Sequence, residues 1–188
     1  MTFSTLDKKI TCLVQIGKIF KSICNESDWP GYSIGINELE YNKFRSLLHS
    51  VKSHNGWFTQ EMILFCFEGW ADLLIEPKIL KWIRKYFLEP KLVTPKTVAI
   101  ICAGNVPMVG FHDIISGYLS GHKLLVKLST DDNVLLPAVV DLMKKFDENL
   151  ATQIIFENNK LYNFDAVIAT GSNNTSRSVS YTHLTLPT

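Results

Sequence analysis

The chain has 188 residues, 46% of them hydrophobic and 20% charged, and a formal net charge of +1. That length and mix fit one globular domain or a large part of a bigger protein, and the near-neutral balance removes the electrostatic drive toward nucleic acid or an anionic membrane. The longest apolar runs, such as 98–103, are far too short to span a bilayer, and the first twenty residues read as an amphipathic helix rather than a signal peptide.

Cys12, Cys24, Cys66 and Cys102 are scattered, with no CxxC pair and no histidine at ligand spacing. They predict reduced thiols in a cytoplasmic protein and no metal site. Cys102 ends an apolar strand beside a glycine, as a nucleophile could, but no base lies near it in sequence. A packed thiol is the stronger reading.

In chain order, the first ninety residues read as helices. Residues 6–23 carry Ile10, Leu13, Val14, Ile16, Ile19 and Phe20 on one stripe. Pro30 and Gly31 then break the chain, and a second helix, 39–51, has apolar residues at Leu39, Phe44, Leu47, Leu48 and Val51. Thr59 caps a third, 62–75, with Phe58 and Ile63 as a hydrophobic staple and Leu64, Phe65, Phe67, Trp70, Leu73 and Leu74 buried. Pro77 suits the first turn of a fourth, 78–88.

After Pro90 and Pro95 the pattern changes to strands at 98–102, 124–127, 153–156 and 166–169, with helices at 111–119 and 134–146. Apolar strands joined by helices imply a parallel sheet covered on both faces, and right-handed crossovers make it Rossmann-like. The expected fold class is α/β: a helical N-terminal segment, 1–93, packing on a Rossmann-like parallel sheet, 94–177.

Small and polar residues collect at the strand ends, in Ala103-Gly104-Asn105, Lys127-Leu128-Ser129-Thr130 and Thr170-Gly171-Ser172-Asn173. On one sheet edge they would form a crevice with glycine clearance, hydroxyls and one cation, suited to a phosphate- or ribose-bearing ligand. Equally, such residues end strands everywhere. No GxGxxG follows the first strand, so a standard dehydrogenase phosphate loop is absent. Asn105 stands in that turn, either as a donor to a developing oxyanion or because asparagine tolerates left-handed backbone. His112-Asp113 reads as a helix start with capping potential.

These segments resemble the aldehyde dehydrogenase superfamily, and within it the LuxC-type acyl-CoA reductases. Gly104-Asn105-Val106-Pro107 is similar to the superfamily's Asn-x-Pro turn, Val126-Lys127-Leu128-Ser129 to its Lys-Pro-Ser segment, and Ile168-Ala169-Thr170-Gly171-Ser172 to its Phe-Thr-Gly-Ser segment. Residues 55–74 are similar to the helix preceding the cofactor domain. The resemblance implies that Asn105 helps form an oxyanion hole, that the Lys127–Ser129 segment meets the adenosine ribose, and that Thr170, Gly171 and Ser172 lie beside the cofactor pyrophosphate. It also implies a self-associating, NADPH-dependent enzyme, with NADH as the alternative cofactor, that converts fatty acyl-CoA to fatty aldehyde through a cysteine thioester. Leu128 replaces the usual proline, Ser176 replaces a second glycine, and Thr130 stands where an acid is frequent. Without that carboxylate a ribose 2′-phosphate is not repelled, which favours NADPH. A semialdehyde or acyl-phosphate reductase, or a non-catalytic nucleotide-binding module, are the alternatives.

The nucleophile implied by the resemblance lies downstream of Thr-Gly-Ser, beyond this chain. Residues 178–188 match nothing in the family, and 179–188 back-translate into a transposase-end sequencing adaptor. The native sequence is therefore expected to end near Arg177, leaving an inactive N-terminal part of the enzyme, with His183 no candidate base.

Overall fold

In the computed structural model the described residues are 5–56, 58–86, 94–130 and 132–171. The chain divides into two compact units, residues 1–93 with 138–148, and residues 94–137 with 149–188.

The first unit opens with α1 (Thr5–Cys24), α2 (Glu38–His54), α3 (Gln60–Leu73) and α4 (Glu76–Ile83). Local chemistry starts three of them. The Asn37 side chain accepts from the Glu40 N–H while the Glu40 carboxylate accepts from the Asn37 N–H, a complete capping box. Thr59 accepts from the Met62 N–H, and Pro77 occupies the first turn of α4. α1 packs mainly on α3. Phe20 stacks on Phe67 with centroids 4.0 Å apart, and Phe44 lies 6.1 Å beyond. At Gly17 a β-carbon would come within 2.8 Å of the Leu74 carbonyl oxygen, so only glycine permits that approach. The Ser22 hydroxyl bonds the Tyr41 hydroxyl at 3.0 Å, and the Tyr41 hydroxyl in turn donates to the Ser27 carbonyl at 3.0 Å.

Some expected core positions face outward. Phe65 is 78% exposed, Leu73 54% and Leu39 79%. α3 turns Ile63, Phe67 and Ala71 inward, a spacing of four that leaves Phe65 and Leu73 on the far side. α4 ends at Ile83, short of the expected helix; residues 87–88 lie outside the described residues.

In the second unit, β1 (Thr97–Ile101), β2 (Lys123–Lys127), β3 (Ile154–Phe156) and β4 (Ala166–Ala169) form an all-parallel sheet in the order β3-β2-β1-β4. α5 (Phe111–Ser120) connects β1 to β2, and α6 (Leu135–Met143) and the one-turn α7 (Leu150–Gln153) lie between β2 and β3. α5 rests closely on β2, because a β-carbon at Gly117 would run into the Leu124 side chain. It ends at Gly121, whose left-handed φ of 78° lets the His122 N–H reach the Gly117 carbonyl at 3.1 Å. The Gln153 amide donates to the Tyr118 and His122 carbonyls at 3.1 and 3.0 Å, tying α7 to the end of α5.

The fold is α/β and Rossmann-like, with β1 at the topological switch between β2 and β4. The expected cover on both faces does not extend to β4. Ala166, Ile168 and Ala169 are exposed, because β4 is the outer described strand and has a sheet neighbour on one side only. α6 also stops before residue 146, and α7 was not legible in the sequence. No helix among the described residues is long and apolar enough to cross a membrane.

Candidate functional site

Parallel pairing brings the carboxyl ends of β2, β1 and β4 to one edge. Lys127 lies in register with Ile101, and Ile101 with Ala169. The Cys102 N–H donates to the Lys127 carbonyl at 2.9 Å. Thr170 donates its N–H to the Ile101 carbonyl at 3.0 Å and its hydroxyl to the same oxygen at 3.3 Å. Lys127 and Thr170 therefore flank the end of β1, with Gly171 exposed beyond it. Ser129 follows β2, and its carbonyl accepts from the Asp132 N–H at 3.2 Å. Ser172 lies outside the described residues.

Asn105 lies in the connection from β1 to α5. It is exposed, and its side chain has no hydrogen-bond partner among the described residues. The left-handed explanation for Asn105 fails: the positive φ of this connection, 62°, falls on buried Met108 instead. Packing holds the connection. A β-carbon at Gly110 would collide with Cys102 Sγ and sit 3.6 Å from Leu136 Cδ1. Glycine thus lets the end of β1, the start of α5 and the start of α6 meet at one point.

The start of α5 is a poor anion site. Gly110, which has no side chain to cap with, is its N-cap, and Asp113 places a carboxylate in the first turn, 3.6 Å from His112 Nδ1. The thiols are equally unsuited to attack. Burial pushes Cys102 up to about 12, with the Asp113 and Asp132 carboxylates adding to the effect. Burial also raises Cys24 and Cys66, and Cys12 is buried with its thiol donating to the Met143 carbonyl. Among the described residues no group of three His, Cys, Asp or Glu side chains is arranged to hold a metal.

One residue of this region was missed from sequence. Asp132 is 3% exposed, and neither carboxylate oxygen has a hydrogen-bond partner among the described residues. Burial lifts it to about 6, the Leu135 N–H opposing this without making a bond. An acid ahead of an apolar run reads as a helix cap; its burial is a tertiary property. A separate cavity of about 250 Å³ in the helical unit, lined by Ile23, Arg45, Leu48, His49, Gln60 and Ile63 among others, contains none of the sequence-derived site residues.

The sequence pattern of the acyl-CoA reductase (LuxC) family matches residues 76–185, more than half of the chain. The chain belongs to the LuxC acyl-CoA reductase family. The matched segment spans α4 and all four strands, so it contains Asn105, Lys127, Ser129, Thr170, Gly171 and Ser172, while α1 to α3 precede it. It also runs past residue 177 into the segment read as adaptor-derived. No curated protein matches the chain significantly.

Proposed function

We propose that this LuxC-family chain is the N-terminal part of a cytoplasmic, NADPH-dependent enzyme that reduces fatty acyl-CoA to fatty aldehyde through a cysteine thioester. The nucleophilic cysteine is none of the four in this chain. The intact enzyme acts as a homo-oligomer, and this polypeptide alone is inactive. The observation that carries this reading is the sheet edge itself: Lys127 and Thr170 on either side of Ile101, at the switch point and inside the matched segment.

The chain's residues fit a ribose-phosphate ligand on one side of the crevice and not on the other. Lys127 supplies a cation, Ser129 and Thr170 supply hydroxyls, and exposed Gly171 leaves backbone clearance. The first turn of α5 already holds the Asp113 carboxylate, which opposes a second anion there. The family resemblance implies that the pyrophosphate lies beside Thr170 and Gly171, and the Asp113 carboxylate at the other loop supports that reading. The bound cofactor supplies the hydride. Asn105, exposed in the connection from β1 to α5, donates its side-chain amide N–H to the oxyanion that forms when a thiolate attacks the acyl carbonyl. Removing one such donor costs about 3–4 kcal/mol of transition-state stabilisation.

Two measurements test the reading. Titration of this chain with NADPH, followed by nicotinamide fluorescence, should saturate, and Lys127→Ala should weaken binding about tenfold. Unchanged binding would remove Lys127 from the site. In the product of the uninterrupted gene, NADPH oxidation should require acyl-CoA, and Asn105→Ala should lower kcat by about a hundredfold or more. Activity confined to acyl phosphates or free aldehydes would move the protein to another superfamily branch.

A further inference from the structure

On the carboxyl side of the sheet, Asp132 is a group that the proposed reaction leaves unused. Both Asp132 oxygens are shut away from water with no hydrogen-bond partner among the described residues. An ionised carboxylate in such a place is costly, so the group must be neutral, find a donor, or leave. Its surroundings tie it to both loops of the candidate site. Its own N–H holds the Ser129 carbonyl at 3.2 Å. Leu136, four residues on, lies against the Gly110 position, where Cys102 Sγ also packs. The groups that bear on this cluster are the Cys102 thiol after β1, the Asp113 carboxylate on α5 and the Leu135 N–H at the start of α6. Among the described residues no cation acts on Asp132.

We propose that Asp132 is a proton-dependent positioning residue for both loops: neutral, it keeps the start of α6 seated against Gly110 and Cys102; ionised, it drives that start outward. The displacement reaches Ser129 through the Asp132 N–H, and the Asn105 connection through Leu136 and Gly110. What the two loops bind rests on the function proposed above. The seating itself does not, so its test contains no nucleotide.

The direction follows from proton uptake. Burial lifts the carboxyl from the ordinary 3.8 to about 6, so between those values the seated form binds more protons than the released form. Seating is most favourable below about pH 4, weakens as pH rises to about 6, and changes no further above that.

Cys102 reports the seating, because it is buried and its sulfur lies in the Gly110 contact. The full chain and its Asp132→Asn variant are labelled with a dithiodipyridine reagent that reacts from acid to neutral pH, and Cys102 is quantified by peptide mass spectrometry. The ratio of wild-type to variant rates should lie within about threefold at about pH 4 and rise to about tenfold or more at about pH 7.5. A ratio that stays flat with pH overturns the proposal. Should the variant fail to fold, amide exchange of wild-type residues 133–136, corrected for intrinsic rates, gives the same reading. Protection there must fall from about pH 4 to about pH 7.5, and constant protection overturns the proposal. Failure of NADPH to bind bears on the function above and leaves both readouts intact.

Discussion

At the residue scale, Gly110 shows how a missing side chain holds a site together. Its φ of −86° is ordinary, so any amino acid could adopt its backbone. The restriction is steric, since a β-carbon there meets Cys102 Sγ. Gly110→Ala should therefore cost about 1–3 kcal/mol of stability through overpacking. Cys102→Ala removes the opposing sulfur, so the double variant should recover most of that loss. Urea midpoints of the four proteins give the coupling, and strictly additive losses would show that the sulfur is not the obstacle. Asp132 makes the complementary point. Its residue type and place ahead of α6 were plain in the sequence, but that its carboxylate is buried without a partner among the described residues emerges only from the folded structure.

At the scale of elements, α3 separates what a local pattern says from what packing decides. Its start was legible because a cap is a short-range event, in which the Thr59 hydroxyl oxygen accepts from an N–H three residues on. Its core was only half legible. Phe65 and Phe67 are both apolar residues in one helical run, yet Phe67 is fully buried between Phe20 and Phe44 while Phe65 faces outward. Phe67→Ala should cost about 3–5 kcal/mol, whereas Phe65→Ala should stay within about 0.5 kcal/mol of the wild type. Chemical denaturation of the two variants checks this, and comparable losses would mean that the outward face of α3 is covered in solution.

At the scale of the whole molecule, β4 is the exposed margin of the described sheet. Ile168 is 41% exposed on a strand whose neighbours in the sheet lie on one side, a template for pairing with another chain. Ile168→Lys should raise the monodisperse fraction in light scattering by placing a charge on that edge; an unchanged size distribution would locate self-association elsewhere. The order of helices then strands, the parallel sheet and the carboxyl-edge position of Lys127 and Thr170 all followed from the sequence. They rest on short-range information: caps, periodicity, and the rule that apolar strands joined by helices pair in parallel. Only the tertiary structure decided which helix faces are buried, which described strand lies at the margin, that residues 138–148 group with the helical unit, and that Asp132 is sealed in without a partner among the described residues. Those outcomes depend on which surfaces meet across long stretches of chain, and burial belongs to the meeting of surfaces rather than to any one segment.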